Sequence, residues 1–229
     1  FADRDVTLAM AYDDKNLYVC FSARNAGPMK NSGNDWHRLF KTGAAVDLQI
    51  GTDPKAATTR QSPVAGDTRL LMTMVKGEPA AVLYQPNAPG AKPDEAWETH
   101  TSVFQSGFDR VVKVPEVSLV ARGDANSYCV EAMIPLKVLG LAIQPDVCYK
   151  MDWGSLVSGP DGSSVMQRLY WANPQTSIVS DEAAESMLHP DLWGMVRFGT
   201  GTGPKGKPEI DMESTLKGGA GDEFKLDEE

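Results

Sequence analysis

Asp5-Val6-Thr7-Leu8-Ala9-Met10-Ala11-Tyr12, followed by Asp13-Asp14-Lys15-Asn16 and then Leu17-Tyr18-Val19-Cys20-Phe21, reads as a β-hairpin. Val6, Leu8 and Met10 alternate with Thr7, Ala9 and Ala11, and Leu17, Val19 and Phe21 repeat the period of two on the return. Period two is the mark of a strand with one face on a core. Asp13 to Asn16 suit the reversal, because Asp and Asn bond their own backbone and tolerate positive φ.

The same punctuation continues downstream. A Gly-, Pro- and Asn-bearing loop at 25–34 leads to a strand at 44–50, and an irregular stretch covers 53–67. Strands at 69–75 and 80–84 are expected to pair across Lys76-Gly77-Glu78-Pro79. Residues 85–98 read as a long loop, and the valine-rich stretch 111–120 as one or two strands broken by Pro115. A strand at 128–134 stops at Pro135, which cannot donate to a ladder, and one or two helical turns end at Gly140. A hairpin pair at 147–158 and 165–170, a short helix at 181–188 capped by Asp181, and a last strand at 192–198 complete the pattern. Many short strands with little helix predict an all-β fold, a two-sheet antiparallel β-sandwich of jelly-roll-like form. The sandwich is expected over residues 1–199, with 200–229 a weakly ordered, Gly-rich acidic tail. Val19, Cys20, Phe21, Val46 and Val130 are expected near the core, as are Trp171, Trp193 and one of Met151 and Trp153.

Composition narrows the function. The chain has 229 residues, a net charge of −9 and 41% hydrophobic content, enough for a real core. No basic stripe is present for phosphate contacts, so nucleic acid is not an expected partner. No apolar run approaches the roughly 20 residues that span a bilayer as a helix. Cys20, Cys129 and Cys148 form no CxxC, and the first two read as buried thiols serving as small apolar residues. No nucleophile elbow, His-Glu-x-x-His or phosphate loop appears, and a non-enzymatic role is expected.

Five segments, in order, resemble the family 9 carbohydrate-binding modules and their wider DOMON-like relatives. They are Ala11 to Val19, Gly43 to Ile50, Tyr128 to Pro135, Tyr170-Trp171-Ala172-Asn173-Pro174 and Leu192 to Phe198. Together they cover about residues 5–198. The family's usual opening segment has no counterpart, and the chain is expected to be a processed piece of a longer exported protein, extracellular or periplasmic, with other domains of that protein as partners.

The resemblance implies a non-catalytic domain that binds a polysaccharide or oligosaccharide. Sugar-binding members hold a sugar between two Trp side chains, and neither Trp has a counterpart in register. Trp36 or Phe40 is the substitute for the first, Trp97 in its Pro-rich loop is a second platform, Asp47 matches the family's strand carboxylate and Arg69 its sugar-contacting arginine. Aromatic faces suit this chemistry because the C–H faces of sugars are apolar and their hydroxyls need fixed polar partners. The alternative is a protein-interaction or structural module whose sugar site has been lost. A minor one is a haem b domain of DOMON-like type, with Met29 and Lys30 as the residues to supply axial ligands. No cofactor is otherwise expected, except the structural calcium that family members often hold. Asp53, Asp67, Asp152, Asp161 and Asp181 are the oxygen donors available for it, without a distinctive spacing.

Overall fold

The computed structural model describes residues 5–100, 105–177 and 182–199. The acidic tail and the Asp181 cap lie outside the described residues. The hairpin forms as read: β1 (Asp5–Tyr12) and β2 (Asn16–Arg24) pair antiparallel from Tyr12 opposite Leu17 to Asp5 opposite Arg24. The Asp13 carboxylate accepts from the backbone N–H of Lys15 and of Asn16, and those bonds hold its pKa below the usual carboxylate range.

Beyond this hairpin come β3 (Ala45–Gly51), β4 (Asp67–Val75) and β5 (Glu78–Gln85). The β4–β5 turn is tighter than the sequence suggests. Val75 faces Glu78, and only Lys76 and Gly77 remain as the turn, at φ 54° and 91°. Two successive left-handed residues match the twist of a two-residue hairpin. The loop expected at 85–98 is present from 86 to 96, with a 3₁₀ turn at Pro93–Glu95, and ends two residues early where a small antiparallel pair begins, β6 (Trp97–His100) with β7 (Gln105–Phe108). The valine-rich stretch splits into β8 (Arg110–Lys113) and β9 (Ser118–Gly123), which belong to different sheets, so Pro115 lies in a crossover. Then follow β10 (Tyr128–Pro135), the single turn α1 (Leu136–Leu139), β11 (Cys148–Ser158), β12 (Val165–Tyr170), α2 (Glu182–Ser186) and a short β13 (Gly194–Arg197).

The strands form two main antiparallel sheets. One has the order β1-β2-β10-β9; the other runs β12-β11-β3-β4-β5-β8, with β13 also paired to β11. Their facing sides enclose the main core, with Leu17, Val19, Phe21, Leu48, Leu70, Val130 and Tyr149 buried in it. Met151 is fully buried there and Trp153 packs against the same core. A second apolar cluster lies on the outer face of the larger sheet, where Leu39, Phe40, Leu71, Val82, Tyr84 and Phe108 are buried. Loop 25–44, the β6–β7 hairpin and α2 cover this face. Two core expectations are corrected here. Cys20, and with it Cys129, sits on the outer face of the smaller sheet and is only half-buried, because Cys20 is out of phase with Val19 and Phe21 and Cys129 with Tyr128 and Val130. Trp171 is 48% exposed, since β12 has ended and its ring lies stacked on Trp153 at the sheet edge. Trp193 is buried as expected, its indole N–H donating to Gln49 Oε1 at 2.8 Å.

Candidate functional site

The five candidate residues form one contiguous assembly on the outer side of the larger sheet, in two tiers. The lower tier is buried. Asp47 on β3 and Arg69 on β4 both have 0% exposure. The Arg69 guanidinium donates from Nε to Asp47 Oδ2 at 2.8 Å, and its Nη2 stands 2.7 Å from the same oxygen. Its Nη1 donates to the Glu185 carbonyl at 3.3 Å, and its plane lies over the rings of Phe40 and Tyr84, 5.1 and 5.6 Å from their centres. Tyr170 donates its hydroxyl proton to Asp47 as well. Gly154, opposite both Asp47 and Tyr170 in the sheet, makes this contact feasible: a Cβ there would lie 2.8 Å from the Tyr170 ring.

Burial pulls the Arg69 pKa down, but Asp47 and then Tyr170 and Tyr84 drive it up further, so the guanidinium stays charged. Burial, followed by the Asp47 charge, pushes the Tyr170 phenol up, and burial does the same for Tyr84. The result is a fixed ion pair roofed by aromatic rings. Phe40 is fully enclosed by Tyr84, Trp97 and Arg69. Phe40, Asp47 and Arg69 therefore support the surface above them, with none of their own surface presented to solvent.

The lid over this tier is α2. Its Glu185 side chain pairs with Lys41, and its Glu182 pairs with Arg38 and accepts from Thr99 Oγ1 at 3.0 Å. Sequence reading missed Tyr84, Tyr170 and Glu185. Tyr170 stood in a quoted motif, but nothing along the chain shows that it faces Asp47, 123 residues away.

The upper tier is aromatic and half-buried. Asp35 caps the short 3₁₀ turn Trp36–Arg38, accepting from the His37 backbone at 3.0 Å and meeting His37 Nδ1 at 2.8 Å. Burial opposes the Asp35 charge, but the bonds to His37 prevail and hold its pKa below the ordinary value. The His37 ring lies against Trp36 at 3.6 Å between centres and is parallel to Trp97 at 6.3 Å. Trp97 in turn stacks on Phe108. Trp36 also walls a cleft of about 420 Å³ whose lining includes Asn34, Leu39, Val82, Lys113 and Pro115. Lys113 Nζ lies 5.7 Å from the centre of the Trp36 ring.

The other candidate residues lie elsewhere. Met29 packs against the main core while its neighbour Lys30 is exposed, so the two side chains lie in different surroundings. Among the acids named for calcium, Asp67 is held by Arg60 and the Val64 N–H, Asp53 by the Lys55 N–H, and Asp161 by Ser163. Asp152 accepts from the backbone of Trp153, Ala172 and Asn173 at 2.8, 2.9 and 3.0 Å, which pins the chain as it leaves β12. Burial outweighs those three bonds and pushes its pKa up to about 6.

No protein-family model matches the sequence, and no curated protein matches it. The structure is similar to a family 9 carbohydrate-binding module of Caldicellulosiruptor kristjanssonii solved with glucose, at a TM-score of 0.48 and 12% identity over 90% of this chain and 83% of that one. It is similar also to a family 9 module of the same organism solved with cellotriose, at 0.48 and 9% identity over 91% and 82%.

Proposed function

We propose that this chain is a non-catalytic domain of a larger exported protein, and that it binds carbohydrate at the Trp36 cleft. The observation that carries this reading is the wall of that cleft, where the Trp36 indole stands with the amide of Asn34 and the ammonium of Lys113. An indole offers an apolar surface for the C–H face of a pyranose, and the two polar groups can meet its hydroxyls. The buried Asp47–Arg69 pair has a supporting part in this reading: it fixes Phe40, on which Trp97 rests.

A glycan array probed with the wild type and with Trp36→Ala tests it. Loss of the stacking contact should cost about 1–2 kcal/mol, roughly a tenfold weakening. Binding to no glycan, or binding indifferent to Trp36, would overturn the reading.

A second reading, a protein-interaction module, is favoured by one observation. Trp171 and Met195 are each 48% exposed, near one edge of the larger sheet where Trp171 packs on Gly194. If a polypeptide partner captured by the domain is lost with Trp171→Ala and retained with Trp36→Ala, this second reading replaces the first.

A further inference from the structure

The outer face of the smaller sheet carries two thiols and a carboxylate that the carbohydrate reading leaves unused. Cys20 on β2 stands opposite Glu131 on β10, and Cys129 lies two residues before Glu131. Residues two apart on a strand share a face, so all three side chains project from the same side. The two sulfurs are 3.5 Å apart, and the two sulfurs and a Glu131 oxygen all lie within 4.8 Å of one another. Each of the three residues is half-buried.

Two thiolates bound at about 2.3 Å to one tetrahedral ion stand about 3.8 Å apart, close to the spacing present here. A disulfide fits less well. Cys129 faces Ser22, so the cysteines are diagonal neighbours in the ladder. Diagonal Cα atoms are about 7–8 Å apart, whereas a disulfide takes about 4.4–6.8 Å. The thiols can therefore close on an ion with less backbone movement than on each other. Arg122, opposite Cys129 on β9, offsets the surplus negative charge of two thiolates and a carboxylate around a divalent ion.

We infer that Cys20, Cys129 and Glu131 form a site for a thiophilic divalent cation of the zinc class, with its fourth position open to solvent. Binding releases the two thiol protons to solvent and changes no oxidation state.

The test is a titration of the reduced full chain with zinc against a chromophoric chelator. One zinc per chain is expected, together with a zinc-dependent rise in melting temperature. Cys20→Ser and Cys129→Ser should each weaken binding at least about tenfold, and Cys148→Ser, in the other sheet, should leave it unchanged. Glu131→Gln leaves the core untouched and should also weaken binding. The inference is overturned if the reduced wild type takes up no zinc, if either Ser variant or Glu131→Gln binds as tightly as wild type, or if Cys20 and Cys129 are recovered as a disulfide that persists in reductant.

Discussion

The two sheets use their outer faces in opposite ways. In the smaller sheet, β2 alternates half-buried with buried from Asn16 to Ala23, so that Val19 is in the core and Cys20 faces outward. In the larger sheet every residue of β3 and the first seven of β4 are buried, whatever face they point to. The difference is made by cover. Nothing among the described residues packs an apolar layer on the outside of the smaller sheet, whereas loop 25–44, the β6–β7 hairpin and α2 build a second core on the larger one. A polar residue on an outer face thus has two fates: Glu131 remains partly in water, and Asp47 is closed in with Arg69.

The contrast is broken most directly by charge removal. Asp47→Ala strands a buried guanidinium and should cost about 3–5 kcal/mol, while Glu131→Ala should stay within about 0.5 kcal/mol. Urea unfolding of the two variants in the presence of a metal chelator, so that no bound zinc contributes, decides it; equal losses would mean the outer faces are alike.

Adjacent residues sharpen it further. Leu70 and Leu71 point to opposite faces of β4, and both have 0% exposure. Each change to Ala should lose roughly 2–5 kcal/mol. On β2 the same pair of substitutions should split: Val19→Ala costly, Cys20→Ala nearly silent. A silent Leu71→Ala would remove the second core from the description.

Asp152 reports on the larger sheet through pH. Its folded pKa of about 6 lies above its ordinary 3.8, so the native state holds the proton more tightly than the unfolded chain. Its contribution to stability is therefore greatest at acid pH and falls as pH rises through about 4 to 6. Over that window the wild type should lose roughly 1–3 kcal/mol relative to Asp152→Asn. Parallel stability curves for the two proteins would show that the carboxylate is not desolvated.

Within the larger sheet the smallest loss belongs to the β4–β5 turn. Gly77 at φ 91° has open space around a would-be Cβ, so Gly77→Ala should cost only about 1–2 kcal/mol, from backbone strain alone. A loss several times larger in the same urea assay would mean the turn is packed under the second core.

Local pattern was enough for much of the fold. Alternation at Val6 to Met10 and Leu17 to Phe21, the Asp13–Asn16 reversal, Pro135 as a strand end and the 147–170 hairpin are each written in neighbouring residues, because period and turn chemistry act over a few positions. Trp36, Phe40, Asp47, Arg69 and Trp97 could also be picked out singly, as aromatic and charged residues in suggestive places. What the sequence could not determine was which outer face would be covered. Cover is provided by segments far along the chain, α2 and the β6–β7 hairpin among them, and a period of two reads the same whether water or a second core meets the outer side. That choice put Asp47 and Arg69 inside, kept Cys20 half out, and brought it to within 3.5 Å of Cys129, 109 residues away. Only the pairing of β2 with β10 and the layers packed on β3 and β4 could decide it, because contact energies depend on what is near in space.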